Sequence, residues 1–180
     1  MQSTVRLSAA GLHDAPGIAR VHVASWRTGY RGLIRQTVLD HLHVPDTAER
    51  WRGTLLAGDR HVTVAHAPDG QVVGFCVCTD HPEEKVAPAP ISEGEVEALY
   101  VAPGRWRGGV GGALLEEAEA FLARMECGTA ELWVLRGNAR ARAFYEARGW
   151  HWDGGERPWT SPRLSVPSVR YIRRLDGIVL

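Results

Sequence analysis

The chain has 180 residues, 44% of them hydrophobic, enough for one substantial core and too few for two domains of usual size. Basic and acidic residues balance at 21 each, and without a basic excess neither nucleic acid nor an anionic membrane surface is favoured as a partner. The three cysteines, Cys76, Cys78 and Cys127, form no CxxC pair, so neither a disulfide framework nor a zinc site is indicated and a reducing cytoplasm is the expected setting.

The first residues, MQSTVRLSAAGLHD, lack a charged segment followed by an apolar core. No run approaches the roughly 18 apolar residues of a membrane span, so an unexported, soluble chain is expected. TVRLSA alternates briefly and predicts a first strand. Asp14 then stands where it can cap a helix reaching about Trp26, with Pro16 tolerated in the first turn. Gly32 breaks that helix, and two shorter ones are predicted over 36–43 and 47–57, the second with Asp46 and Glu49 at capping-box spacing. HVTVAHAPDGQVVGFCVCT reads as a hairpin turning at Pro68-Asp69-Gly70. Residues 80–94 hold three prolines and no period, and predict a long loop. A strand at EVEALYV, a glycine turn and a helix over 109–125 follow, then a strand at AELWVL and a helix over 138–148. WHWDGGERPW reads as a short strand and turn, and SVRYIRRL as the last strand. The order predicts a single-domain mixed α/β (α+β) fold over residues 1–180.

Four glycines, Gly108, Gly109, Gly111 and Gly112, fall within five residues between a predicted strand and a helix. The first N–H groups of a helix have no partner within it, and the macrodipole places about +0.5 charge there. Bare backbone at that end admits a phosphate or pyrophosphate closely. A dinucleotide fingerprint would need a third glycine where Leu114 stands, and a Walker A loop would need Gly-Lys-Ser/Thr, so both nucleotide readings weaken.

LYVAPGRWRGGVGGALL resembles the strand, turn and helix of the GNAT superfamily of acetyl-CoA-dependent N-acetyltransferases, whose pyrophosphate loop has the form Arg/Gln-x-x-Gly-x-Gly/Ala. The corresponding stretch here is Trp106, Arg107, Gly108, Gly109, Val110 and Gly111, with Trp106 departing from the usual Arg or Gln. LWVLRGNARARAFYEARGW resembles the family's later strand and helix, matched at Leu132, Val134, Asn138, Ala141, Phe144, Tyr145 and Gly149, with Trp150 for Phe. The resemblance is sharp over 95–152, the expected acetyl-CoA-binding region, and implies a mostly antiparallel central sheet flanked by helices.

The resemblance implies that main-chain groups around Leu99, Tyr100 and Val101 pair with the pantetheine arm. Amides of Arg107 to Gly112 are then expected to hold the pyrophosphate, and Arg105, Arg107 or Arg140 to pair with further phosphate charge. The backbone rather than the Trp106 side chain is expected to do the holding. Asn138 offers a donor and an acceptor to the pantetheine amides, and fits a helix N-cap equally well. Tyr145 is the expected general acid for the leaving thiolate, its alternative being a core tyrosine. Glu95 and Glu97 share a strand face with Leu99 and Val101, by the period of two, and either is a candidate base. Trp26 and Tyr30, four apart on the first helix, are candidates to wall the acceptor site or to pack in the core. Six acids between Asp80 and Glu97, namely Asp80, Glu83, Glu84, Glu93, Glu95 and Glu97, face only Lys85 and suggest attraction of a cationic amine. His41, His43, His61 and His66 carry no metal-ligand motif, and no metal is expected.

The expected activity is transfer of an acetyl group from acetyl-CoA to a primary amine of a small molecule or peptide, directly within a ternary complex. The rival is a non-catalytic acyl-CoA-binding sensor or interaction module of the same fold. Dimerisation is common in the resembled family, and nothing in the sequence fixes a homodimer here.

Overall fold

The computed structural model describes residues 5–80, 93–161 and 164–175. Its elements, in chain order, are β1 (Arg6–Ala9), α1 (Ala15–Gly29), α2 (Gln36–Asp40), α3 (Val44–Ala57), β2 (His61–His66), β3 (Val72–Thr79) and β4 (Glu93–Val101). Then come α4 (Val110–Arg124), β5 (Thr129–Leu135), α5 (Ala139–Glu146), β6 (His151–Ser161) and β7 (Leu164–Arg174). The strands take the order β1-β2-β3-β4-β5-β7-β6 in a mostly antiparallel sheet flanked by helices, the expected fold class. Contacts divide the chain into two compact units, residues 1–78 with 98–118 and residues 79–97 with 119–180.

In the first unit, Ile18 and Val21 of α1 are buried with Val62 and Val64 of β2 and Phe75 and Val77 of β3. α1 runs to Gly29, past the expected end at Trp26. Asp14 precedes it but caps no helical amide, as a short 3-10 turn over Leu12–Asp14 comes first. Its buried carboxylate accepts the Gly11 N–H at 2.9 Å and meets His66 Nε2 at 3.0 Å instead. α3 starts at Val44 behind Pro45, whose fixed φ suits a first turn, so Asp46 lies inside the helix and the expected capping box does not begin it. The hairpin is present: β2 and β3 pair antiparallel, and Gly70 takes φ 83° in the turn. Gly74 of β3 lets α4 approach, for a Cβ there would stand 2.9 Å from Leu114 Cδ1 and 3.1 Å from Val110 Cγ1.

In the second unit, β4 pairs parallel with β5, and β7 lies antiparallel to both β5 and β6. β6 is eleven residues long, not a short strand and turn, because a register shift between Trp152 and Glu156 absorbs the Gly154-Gly155 pair while pairing continues on both sides. β7 begins at Leu164, four residues before the expected Ser168. Of the predicted loop over 80–94, Glu93 and Gly94 belong to β4 and residues 81–92, with Glu83, Glu84 and Lys85, lie outside the described residues. Leu122, Leu132, Trp150, Val169 and Tyr171 form buried positions of this unit. Among the described residues no helix is long and apolar enough to cross a membrane.

Candidate functional site

The candidate residues fall in both units, and each group is built from its own strand and helix. In the first unit β4 ends at Val101, and a 3-10 turn over Pro103–Arg105 leads to the glycines. Arg107 and Gly109 take left-handed conformations, φ 63° and 85°. A Cβ on Gly109 would meet nothing within 4 Å, so that glycine answers to its φ and not to crowding. The Gly108 N–H turns back to the Arg105 carbonyl at 3.3 Å, and the helical ladder opens with Ala113 N–H to Gly109 O at 3.1 Å. The amides of Val110, Gly111 and Gly112 therefore sit at the electropositive end of a 15-residue helix, before its ladder begins. With exposed Arg107 and half-buried Arg105 beside them in sequence, they fit a pyrophosphate.

The Trp106 indole N–H donates to the Val101 carbonyl at 2.7 Å, and Ser25 Oγ of α1 donates to the same oxygen at 2.9 Å. Both lone pairs of that carbonyl are thus engaged within the chain.

An aromatic group rises from α1 and β4 of the same unit. Trp26 and Tyr30 meet edge to face, centroids 5.1 Å apart, and the Tyr30 and Tyr100 hydroxyls are 3.4 Å apart. His22, one turn before Trp26, stacks on Tyr100 at 5.4 Å and accepts the Trp51 indole N–H on Nδ1 at 3.1 Å. Burial lowers the His22 pKa to about 4, with the charge of Arg50 adding to it, so the ring is neutral at pH 7. Burial raises the Tyr100 phenol, against hydrogen bonds from Tyr30 and Trp26 that lower it. His22 and Trp51 were not candidates from the sequence, although His22, Trp26 and Tyr30 follow one another at i, i+4 and i+8 on one helical face.

In the second unit Asn138 is buried and its Oδ1 accepts the Ala141 N–H at 3.2 Å, the helix-cap role. Tyr145 is 8% exposed, with ring centroids of Phe144, Trp150 and Tyr171 at 5.1, 6.2 and 6.4 Å. The Tyr171 phenol accepts from Arg142 Nε at 3.0 Å and donates to Glu146 Oε1 at 2.5 Å. Glu95 and Glu97 alternate along β4 with buried Gly94 and Val96, as expected. Glu95 lies 3.9 Å from Arg157, whose guanidinium stacks 4.0 Å over Trp133, whereas Glu97 is exposed. Arg140 is exposed on α5. Among the described residues no three His, Cys, Asp or Glu side chains group to hold a metal.

The chain belongs to the acetyltransferase (GNAT) family, which it matches over residues 25–150. A probable N-acetyltransferase of Mycobacterium tuberculosis is 30% identical over 175 residues, 94% of this chain and 93% of that protein. An uncharacterized N-acetyltransferase of Bacillus subtilis is 33% identical over 143 residues, 79% of this chain and 78% of its own length. Among solved structures, PaiA N-acetyltransferase from Thermoplasma acidophilum in complex with coenzyme A has a TM-score of 0.70 at 17% identity, covering 95% of this chain and 99% of that one. A GCN5-related N-acetyltransferase from Rhodopseudomonas palustris has a TM-score of 0.75 at 18% identity, over 97% and 98% of the two chains. At these identities the solved structures show the shared fold.

Proposed function

We propose that this chain is an acetyl-CoA-dependent N-acetyltransferase that passes the acetyl group directly to a primary amine in a ternary complex. The glycine turn carries the reading: three helix-start amides, Val110 to Gly112, stand beside arginines in the stretch that the family match includes. Bound acetyl-CoA supplies an activated acyl carbon and a thiolate leaving group. Arg105, Arg107 and Arg140 complement phosphate charge, the β4 backbone at Leu99 and Tyr100 aligns the pantetheine, and Asn138 supports it from the start of α5.

The amine nitrogen forms its bond to the acyl carbon as the carbon–sulfur bond breaks. The departing sulfur takes the proton of the Tyr145 phenol. The proton lost by the amine goes to Glu95 or Glu97, the two candidate bases on one face of β4, directly or through water. Trp26 and Tyr30 wall the acceptor amine, whose ammonium form is drawn to aromatic faces. The enzyme acts in the cytoplasm, where its three buried, unbridged cysteines stay reduced.

The test is CoA release across aminoglycosides, polyamines, amino acids and peptides, with Tyr145→Phe in parallel. Turnover with one class, reduced at least tenfold in Tyr145→Phe, is expected. Undiminished turnover in the variant removes Tyr145 as the acid. Tight acetyl-CoA binding with no turnover on any amine makes the chain a binding module instead.

A further inference from the structure

We infer that Trp106 positions the pyrophosphate turn by clamping it to the end of β4, through its indole N–H on the Val101 carbonyl, and makes no phosphate contact of its own. The inference rests on the acetyl-CoA reading above.

The resembled motif places a polar or cationic side chain where this chain has an indole, and an indole has one donor and no charge. That donor is already spent on Val101 O at 2.7 Å. The bond closes a short path: Arg105 N–H reaches Ala102 O at 2.8 Å, Trp106 N–H reaches Pro103 O at 3.3 Å, and the indole returns to the last residue of β4. Ser25 holds the same carbonyl from α1, so the strand end that receives the clamp is itself fixed by a second element.

The need for a clamp comes from the residue that follows. Arg107 takes φ 63°, where a side chain is disfavoured, and Gly109 takes φ 85° two residues on. A turn with such a residue at its centre does not hold its shape unaided. Its shape decides where the amides of Val110, Gly111 and Gly112 point. Trp106 thus reaches the cofactor through the backbone it steadies, which makes it a positioning residue.

Trp106→Phe keeps an aromatic ring, though a smaller one, and deletes the N–H. By calorimetry the variant is expected to bind acetyl-CoA about fivefold more weakly, the equivalent of one ordinary hydrogen bond. S-acetylpantetheine, which lacks the pyrophosphate, is expected to bind wild type and variant alike by NMR titration. Equal acetyl-CoA affinities would overturn the inference, as would equal weakening of both ligands, which would mark a general packing role. In the wild type, the Trp106 indole proton is expected to exchange slowly and to keep its chemical shift when acetyl-CoA is added. Fast exchange, or a large shift of that proton, would overturn the clamp even if the variant did not fold. A wild type that fails to bind acetyl-CoA would instead defeat the underlying reading.

Discussion

The buried Tyr171 phenol donates to the exposed Glu146 carboxylate at 2.5 Å while accepting from Arg142. One hydroxyl on β7 thereby holds two residues four apart on α5, the helix that carries Tyr145. Burial and the bond to Glu146 push the Tyr171 phenol up, against the opposing pull of Arg142, so it remains the donor at neutral pH. Tyr171→Phe keeps the buried ring and lets Glu146 rehydrate, so the expected loss is about 1 kcal/mol. For a chain of this size that is a fall of about 2–4 °C in Tm, read by thermal denaturation. An unchanged Tm would show that α5 is held by packing alone.

His22 sets a pH dependence whose sign follows from its lowered pKa. The folded chain holds the imidazole neutral down to about 4, whereas the unfolded chain takes up the proton near 6.5. Between those values the unfolded state binds more protons, so stability falls as pH drops through the window and the contribution is gone below about 4. The shift corresponds to about 3 kcal/mol. Urea titrations at pH 7 and pH 4.5 should show a smaller loss on acidification for His22→Gln than for wild type. Equal losses would place the acid sensitivity elsewhere.

The parts that were legible in the sequence are those decided by near neighbours. Pro68-Asp69-Gly70 turns the β2–β3 hairpin because its φ requirements are local, and the alternation from Glu93 to Glu97 places the two candidate bases on one face. What was hidden depends on partners far along the chain. Asp14 looks like a helix cap until His66, 52 residues on, takes one of its oxygens. His22 is unremarkable until Trp51 and Tyr100 enclose it. Gly154 and Gly155 read as a turn because nothing local reveals that β7 pairs on either side of them. At Trp106 the partner is only five residues back, yet spacing alone does not say which way an indole points.

Glycines in this chain have opposite expected responses to alanine. At Gly94 a Cβ would stand 2.5 Å from Leu122 Cδ2 and 3.1 Å from Leu122 Cγ, and Leu122 is fully buried. Gly94→Ala is therefore expected to destabilise by about 1–3 kcal/mol through overpacking. Gly53 lies exposed within α3 with nothing within 4 Å of its Cβ position, so Gly53→Ala is expected to stabilise by about 0.5–1 kcal/mol. Chemical denaturation of the two variants reads both signs, and a neutral Gly94→Ala would mean that Leu122 shifts without cost.

Asn138 carries two separable roles. Its Oδ1 caps α5 through the Ala141 N–H, while the proposed contact to pantetheine draws on the side-chain amide as a whole. Asn138→Ala removes both and is expected to cost about 1 kcal/mol of stability, as caps do. Asn138→Asp keeps an oxygen for the cap, and places an acid favourably at a helix N-terminus, but deletes the NH2 donor. The aspartate variant should therefore melt near wild type yet show an acetyl-CoA KM raised about three- to tenfold, the range of one lost hydrogen bond. Denaturation curves and donor-saturation kinetics on both variants check the split. An aspartate variant with wild-type KM would confine Asn138 to the cap and remove it from the cofactor site.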